Sequence, residues 1–102
     1  MDRSSVCYLV SYKEGQQDDI GQEVSVEKKR KVFCDVSSVS GAETFDAGRN
    51  NIVPECKVTV FAPEYEDETV VILDDKRYGV YRTYWDKKYD TMELYLSRKV
   101  GT

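Results

Sequence analysis

The side chains best suited to nucleophilic or metal chemistry in this sequence are its three cysteines. Cys7, Cys34 and Cys56 are widely spaced and form no C-x-x-C pair, so they match neither a disulfide framework nor a zinc knuckle. A catalytic thiolate usually has a basic partner, most often histidine, and the chain contains no histidine. Because each cysteine lies in a strand-like run, the sequence predicts free thiols that pack as small apolar side chains.

Carboxylates are grouped in two places along the chain. The first group lacks the D-x-[DN]-x-[DN]-G spacing of a calcium loop, which favours a solvated turn over a calcium site; it comprises Glu64, Glu66, Asp67 and Glu68. The second group, Asp74–Asp75, has the residue type that is common in tight turns. The sequence has no glycine-rich phosphate loop and no nucleophile elbow. We therefore expect a protein that is not an enzyme and that has no metal site and no cofactor.

The formal net charge of −4 argues against nucleic-acid binding as the main function, because affinity for phosphates comes mostly from lysine and arginine. One stretch, Glu27–Lys31, nevertheless carries four consecutive cations. In a strand these cations would alternate between faces and protect an exposed edge from unwanted pairing. Contact with a partner's acidic surface, or directly with DNA, remains a second and a third interpretation.

The length of 102 residues fits one domain, 1–102, with one modest core. No apolar run approaches the roughly 20 residues that a membrane helix needs. The first residues also lack the features of a cleavable signal sequence. We therefore expect a single domain that works in the compartment where it is made and does not contact a membrane.

The hydrophobic pattern predicts six short strands separated by turn residues. Thr69–Leu73 is almost continuously apolar, which indicates cover on both faces, and Lys13–Gln22 is polar and predicts a loop or an extended arm. Asp74–Asp75 predicts a hairpin turn. The predicted strands are Val6–Tyr12, Val24–Val36, Cys56–Ala62, Thr69–Leu73, Lys76–Tyr84 and Thr91–Val100. This order indicates a small, mostly antiparallel barrel or sandwich.

One short helix is predicted within the segment 37–53. Ser40 and Glu43 match the S-x-x-E capping box, in which the serine oxygen and the glutamate carboxylate satisfy free amide groups at a helix start. Gly48, with Asn50 and Asn51 just beyond it, is a plausible left-handed stop. A helix of two to three turns is marginal alone in water, so it must dock on the sheet or on a neighbouring subunit.

Aromatic residues are concentrated near the end of the chain. Tyrosine and tryptophan are enriched at interfaces, because an apolar ring carries a hydrated polar group. Tyr78 and Tyr84 share one face of the predicted fifth strand with Val80 and Arg82, whereas Tyr81 lies on the other. A subunit or partner interface that includes Tyr81 and Trp85 is the favoured interpretation. Cross-strand packing and stacking on single-stranded nucleic acid are the alternatives.

Several of these segments together resemble one protein family. They are the strand K-V-F-C-x-V, the helix S-G-A-E-x-F-x-A-G, and K-R-Y-x-V-Y-R-T-Y followed by E-L-Y-L. In order and spacing they are similar to the head-closure, or head–tail connector, proteins of long-tailed bacteriophages. The resemblance extends from about Val6 to Gly101.

The resemblance implies a small six-stranded β-barrel, SH3- or OB-like, with one short helix in an inserted loop at 37–53. It implies a ring of about a dozen copies in the virion neck, assembled in the bacterial cytoplasm. Such a ring lies beneath the portal and adaptor rings, closes the DNA-filled head and meets the tail terminator protein. Double-stranded DNA passes through it without sequence-specific binding. The implied contact residues of the inserted segment are Glu43, Phe45, Asp46, Arg49 and Asn50.

Two other classes of protein are compatible with the residues alone. A β-barrel adaptor module that binds a peptide or an oligonucleotide would explain the strands and the aromatic residues. A small enzyme is the weaker alternative, because no nucleophile constellation is visible in the sequence.

Overall fold

The computed structural model describes residues 5–17 and 23–98 and is mostly β-sheet. Its strands are β1 (Ser5–Gln17), β2 (Glu23–Ser37), β3 (Pro54–Phe61), β4 (Val70–Leu73), β5 (Lys76–Asp86) and β6 (Thr91–Arg98). One helix, α1 (Gly41–Gly48), lies between β2 and β3, and a turn of 3-10 helix, Ala62–Glu64, follows β3. The predicted mostly β fold with one short helix is confirmed.

The six strands close into an antiparallel barrel in the order β1-β2-β3-β6-β5-β4. The contact that closes it is short, because β1 pairs with β4 only where Tyr8–Val10 meets Val70–Ile72. β4 joins β5 through Asp74 and Asp75, which adopt φ angles of 52° and 63°. Positive φ at both positions is what a two-residue type I′ hairpin turn requires, so this predicted turn is confirmed.

The barrel encloses one continuous apolar core. Its buried members are Cys7, Leu9, Val32, Cys34, Val58, Val60, Val71, Leu73, Leu94 and Leu96. Val10 and Val70 are also buried but belong to the opposite faces of their strands, so β4 is covered on both faces as predicted. The three cysteines are free thiols, two of them buried and Cys56 half-buried, which confirms their predicted packing.

β1 and β2 continue beyond the barrel as a two-stranded ribbon. β2 pairs with β3 only through Asp35–Ser37, whereas its pairing with β1 extends from Cys34 back to Glu23. Residues 13–17, expected to begin a polar loop or arm, therefore belong to β1. Residues 18–22 of that prediction lie outside the described residues, as do residues 99–100 of the predicted last strand. The ribbon contributes to an elongated shape of 50 × 30 × 24 Å.

The segment between β3 and β4 is joined to β2 by a partly buried ion pair. The Arg30 guanidinium donates to the Glu68 carboxylate at 2.6 Å and to the Glu64 carbonyl, and the Glu68 side chain is only 2% exposed. The Tyr65 hydroxyl donates to the Glu68 carbonyl at 2.7 Å, and burial raises the pKa of Tyr65 to about 12. The expected solvated acidic turn is thus wrong for Glu68. Its partner, Arg30, lies 38 positions away in the chain, where local sequence gives no sign of it.

We expect Arg30→Met to lower the free energy of unfolding by about 3 kcal/mol, because it leaves a buried carboxylate without its counter-charge. Urea unfolding followed by Trp85 fluorescence measures this change. Lys31→Met is the matched control, since Lys31 is the next residue and exposed, and its loss should change stability by no more than about 0.5 kcal/mol. Equal effects of the two substitutions would contradict the role given to the ion pair.

Candidate functional site: the inserted helix and the fifth strand

Helix α1 is capped at both ends by residues next to it in the chain. The Ser40 hydroxyl accepts the Glu43 amide N–H at 3.1 Å, which confirms the serine half of the predicted capping box. At the other end Asn51 adopts φ 61° and donates to the Gly48 carbonyl, while the Ile52 amide donates to the Ala47 carbonyl. This is a Schellman motif with asparagine in the left-handed position. The left-handed stop predicted from Gly48, Asn50 and Asn51 is therefore confirmed, with Asn51 and not Gly48 in the left-handed position.

The Glu43 carboxylate, expected to complete the capping box, instead ties the helix to β5. It accepts the Tyr81 hydroxyl at 2.8 Å and two guanidinium nitrogens of Arg82, Nη2 at 2.5 Å and Nε at 3.3 Å. Two hydrogen bonds between one guanidinium and one carboxylate fix the relative orientation of the two groups as well as their distance. The Glu43 carboxylate thus ties the short helix to the outside of the barrel, in addition to the burial of Ala47.

A bulge in β5 allows Tyr81 and Arg82 to reach the same carboxylate. Val80 pairs with Leu96 of β6, but Arg82 pairs with the adjacent Tyr95, so Tyr81 is an extra residue in the ladder. An extra residue of this kind changes the strand face on which the following side chains lie. Without the bulge, neighbouring residues 81 and 82 would point to opposite faces of the strand.

The bulge also corrects the predicted faces of β5. Tyr78 and Val80 pack against the core, whereas Arg82 lies over an outward-facing tyrosine and Tyr84 is 53% exposed. The prediction that all four share one face, with Tyr81 on the other, is wrong. Strict alternation holds only where no residue is inserted into the strand pairing.

The outer surface beside the helix is a network of rings and charges. The Arg82 guanidinium lies 4.0 Å from the centre of the Tyr95 ring, and the Tyr81 ring lies 6.2 Å from the same centre. The Tyr95 hydroxyl donates to Glu93 at 2.9 Å, and Lys57 lies 3.7 Å from Glu93. Arg82 is therefore held on one side by a carboxylate and on the other by an aromatic ring.

These contacts shift the pKa values of Glu43, Arg82 and Tyr81, where the helix meets β5. The hydrogen bond from Arg82, with a second from Tyr81, holds the pKa of Glu43 below its ordinary value of 4.5. The same bond raises the pKa of Arg82. Burial, followed by the hydrogen bond to Glu43, raises the pKa of Tyr81. The helix is thus docked through an ionised carboxylate at neutral pH.

The structure separates the sequence-predicted contact residues into three groups. Glu43, Asp46, Asn50 and Tyr81 line one cleft between helix and strand, together with Arg82, which the sequence reasoning did not single out. The other helix residues, Phe45 (70% exposed) and Arg49, are exposed and do not line this cleft. Trp85 lies further along β5. The run Y-x-V-Y-R-T-Y carries tyrosines on both strand faces, but no fixed sequence pattern marks a bulge, so Arg82 could not be identified from it.

The end of the β5–β6 hairpin exposes aromatic rings beside lysines. Trp85 and Tyr89 are 51% and 65% exposed. The Lys87 ammonium lies 5.3 Å from the Trp85 ring centre, and the Lys88 ammonium lies 5.3 Å from that of Tyr89. Exposed rings with cations beside them are typical of recognition surfaces rather than of core packing.

The described residues 5–17 and 23–98 contain no group of three or more histidine, cysteine, aspartate and glutamate side chains that could hold a metal ion. Within the same residues, no helix has the length and apolar character needed to cross a membrane. Cys7 and Cys34 hydrogen-bond to each other, and this bond together with burial raises the pKa of the Cys7 thiol. Burial also raises the pKa of Cys56. A protonated thiol is a weak nucleophile, so Cys7 and Cys56 are better suited to packing than to attack.

No protein-family model matches this chain, and no curated protein matches it.

We expect Arg82→Met to free the helix while leaving the barrel intact. Because the Arg82 side chain is 44% exposed, solvent screens the ion pair. We therefore expect the free energy that holds α1 on the barrel to fall by about 1 kcal/mol, which corresponds to a roughly fivefold faster amide exchange in α1. Hydrogen exchange by mass spectrometry measures the rate. Arg77→Met is the matched control on the same strand, 42% exposed and paired with Glu27 at 2.7 Å. Equal acceleration of α1 in both variants would contradict the proposed tie.

Acid should release the same contact. Since the pKa of Glu43 is lower in the folded state, its contribution to docking is complete above pH 4.5 and is lost as the pH falls through the lower folded value. An NMR titration of the Glu43 carboxyl carbon should show a midpoint below 4.5 that rises in Arg82→Met. An unchanged midpoint in the variant would show that Arg82 does not hold this carboxylate.

Proposed function

We propose that this protein is a structural, non-catalytic connector of a bacteriophage neck. In this proposal about a dozen copies form a ring beneath the portal and adaptor rings. The ring closes the DNA-filled head and offers a docking surface to the tail terminator protein. It is assembled in the host cytoplasm and remains in the virion.

The observation that carries the proposal is the position of the helix. The resemblance noted in the sequence implies a small barrel with a helix inserted between strands, and α1 is inserted between β2 and β3 of a closed barrel. An eight-residue helix is too short to be stable alone. Here it is capped, tied through Glu43 and presents Phe45 to solvent, as expected of an element that meets a neighbouring molecule.

Exposed aromatic rings support a role in assembly. Phe33 and Phe45 are 62% and 70% exposed, and Tyr84, Trp85 and Tyr89 are each more than half exposed. Large apolar side chains left on the surface in this number favour contact with other proteins. They lie on β2, on α1 and on the β5–β6 hairpin, which suits a subunit with more than one neighbour.

The charge of the inserted segment suits a surface that DNA passes without binding. Within 37–53 the charged residues are Glu43, Asp46 and Arg49, and the Glu43 charge is matched by Arg82 of the barrel. After this pairing, the segment presents one guanidinium, Arg49, and one carboxylate, Asp46, to a phosphate backbone. Tight binding of DNA needs several unopposed cations.

A peptide- or oligonucleotide-binding module is the second candidate. The Lys87–Trp85 and Lys88–Tyr89 contacts favour it, because rings beside cations are how single strands are often held. The net charge of −4 works against it for nucleic acid. Fluorescence titration of Trp85 with single-stranded oligonucleotides distinguishes the two candidates, since the connector should show no saturable quenching.

The test of the connector is deletion of the gene from the phage or prophage genome that encodes it. We expect electron microscopy to show separate heads and finished tails, with DNA lost from the heads. Complementation with the wild-type gene should restore joined virions, whereas Phe45→Ser should restore few of them. Phe33→Ser, of similar exposure but on the barrel wall, is the comparison for a helix-specific effect. Normal virions after the deletion would refute the proposal.

A further inference from the structure

One long strand edge of the molecule is open. From Glu23 to Lys31, β2 pairs with β1 on one side, and on the other side it pairs with no strand among residues 5–17 and 23–98. Pairing with β3 begins only at Asp35. In an antiparallel strand, alternate residues direct both their N–H and their C=O groups away from the paired neighbour. This edge therefore presents a row of backbone donors and acceptors that a further strand can use.

β2 lacks two of the features by which proteins usually prevent pairing at an open edge. It contains no proline. It also contains no bulge, because the register shift between Lys13 and Gln16 places the extra residue in β1. The feature that remains is the positive charge of Lys28–Lys31. Charge of one sign keeps out strands of the same sign and admits strands of the opposite sign.

Exposed cations lie on both faces of this edge. Lys28 and Lys31 are three positions apart in a regular strand, so they point to opposite faces. Both are exposed, and neither has an ion pair among the described residues, whereas Lys29 is paired with Glu27 at 3.6 Å. A ligand on one face of the sheet would meet only one of the two free lysines. A strand added beside β2 has side chains on both faces, so it would meet both.

A second copy of this chain is a poor occupant of the edge. Pairing β2 with β2 of another copy would bring like charges together, which destabilises a strand pair. The acidic turn of a second copy is equally unsuited, because Asp67 adopts φ 62° and Glu68 is bound to Arg30, so the turn cannot extend into a strand. The occupant is therefore a segment of another molecule.

A polypeptide satisfies this edge better than a nucleic acid does. Phosphates could pair with Lys28 and Lys31, but they would leave the backbone N–H and C=O groups of the edge without strand partners. An extended peptide supplies both the alternating donors and acceptors and, where it is acidic, the opposite charge. The net charge of −4 also works against a phosphate backbone.

We propose that the edge Glu23–Lys31 binds an extended acidic segment of a partner protein, which joins the β1–β2 ribbon as a third strand. The backbone of the segment pairs with the open side of β2. Its carboxylates lie on both faces of the enlarged sheet, beside Lys28 on one face and Lys31 on the other. This contact deepens the proposed connector function by giving the chemistry of one docking partner, and it rests on that function only in requiring a partner protein.

The test is an NMR titration of the full chain with a synthetic peptide. The probe has about ten residues, chosen from glutamate, valine and threonine, with glutamates on both faces of its extended form. We expect saturable shift changes along Glu23–Lys31. Amide exchange should slow at alternate residues of this stretch, those whose N–H groups point away from β1. High salt should weaken the binding.

Two control peptides separate strand pairing from charge. One keeps the glutamates but has a central proline pair, which removes a donor from each edge, and it should bind at least about tenfold more weakly. The other has glutamine in place of glutamate and should bind about fivefold more weakly, because exposed ion pairs each contribute little. Equal binding of the proline peptide would show that charge alone attracts the probe and would overturn the inference.

Variants of the protein locate the binding site. Lys28→Gln/Lys31→Gln should bind the glutamate peptide about fivefold more weakly than the wild type. Lys76→Gln/Lys87→Gln makes the same charge change at exposed lysines elsewhere and should leave the affinity unchanged. Circular dichroism checks that each variant is folded. Equal affinities of the two variants would overturn the assignment to this edge.

Other outcomes would also overturn the inference. No saturable shift at about 1 mM peptide would refute it directly. Self-association of the free chain that protects the same amides would make a second copy the occupant, and displacement of the peptide by a short DNA duplex would favour a nucleic acid.

The gene deletion separates this inference from the connector function. Specific peptide binding by a protein whose deletion leaves virions joined would support the edge contact but refute the neck function. Separated heads and tails after deletion, without peptide binding, would leave the neck function standing and refute this contact.

Discussion

The fold depends on a closure of three residue pairs between β1 and β4. Tyr8, Leu9 and Val10 meet Ile72, Val71 and Val70, and through this ladder an open sheet becomes a barrel. Leu9 and Val71 are fully buried at the centre of the contact, with Val10 and Val70 buried on the other face.

Beside this seam the barrel is stabilised by a charge pair instead of by further strand pairing. Arg30 lies opposite Leu9 in the β1–β2 ladder and reaches Glu68 just before β4 begins. The same region thus combines apolar side chains with a satisfied ion pair. Buried pairs of this kind contribute less to net stability than to specifying one arrangement over others. Here the arrangement specified is the position of the segment between β3 and β4.

Features determined by neighbouring residues could be predicted from the sequence. The six strands follow from alternating or continuous apolar runs, the Asp74–Asp75 turn from residue type, and the helix start from the Ser40 cap. Features that depend on distant residues could not. The partner of Glu68 is 38 positions away, and that of Glu43 is 39 positions away.

The candidate site was predictable in the same uneven way. Glu43 and Asp46 could be placed together because they share one short helix, and Asn50 follows that helix by two residues. The side of the barrel that they face depends on the extra residue at Tyr81, and a bulge has no fixed sequence pattern. The extension of β1 through polar residues was missed for a further reason. Residues 13–17, K-E-G-Q-Q, have no apolar alternation that would reveal a strand.

The closing seam also affects how the chain reaches this structure. Leu9 and Val71 are more than sixty positions apart, so the first strand must wait for the fourth before its inner side chains are covered. Closing so long a loop costs chain entropy before any contact repays it, which places barrels of this kind among the slower-folding small domains. During synthesis the β1–β2 ribbon can pair as soon as it emerges, while Cys7 and Leu9 stay uncovered. The cations along β2 are already present at that stage, and they keep nascent chains from joining edge to edge.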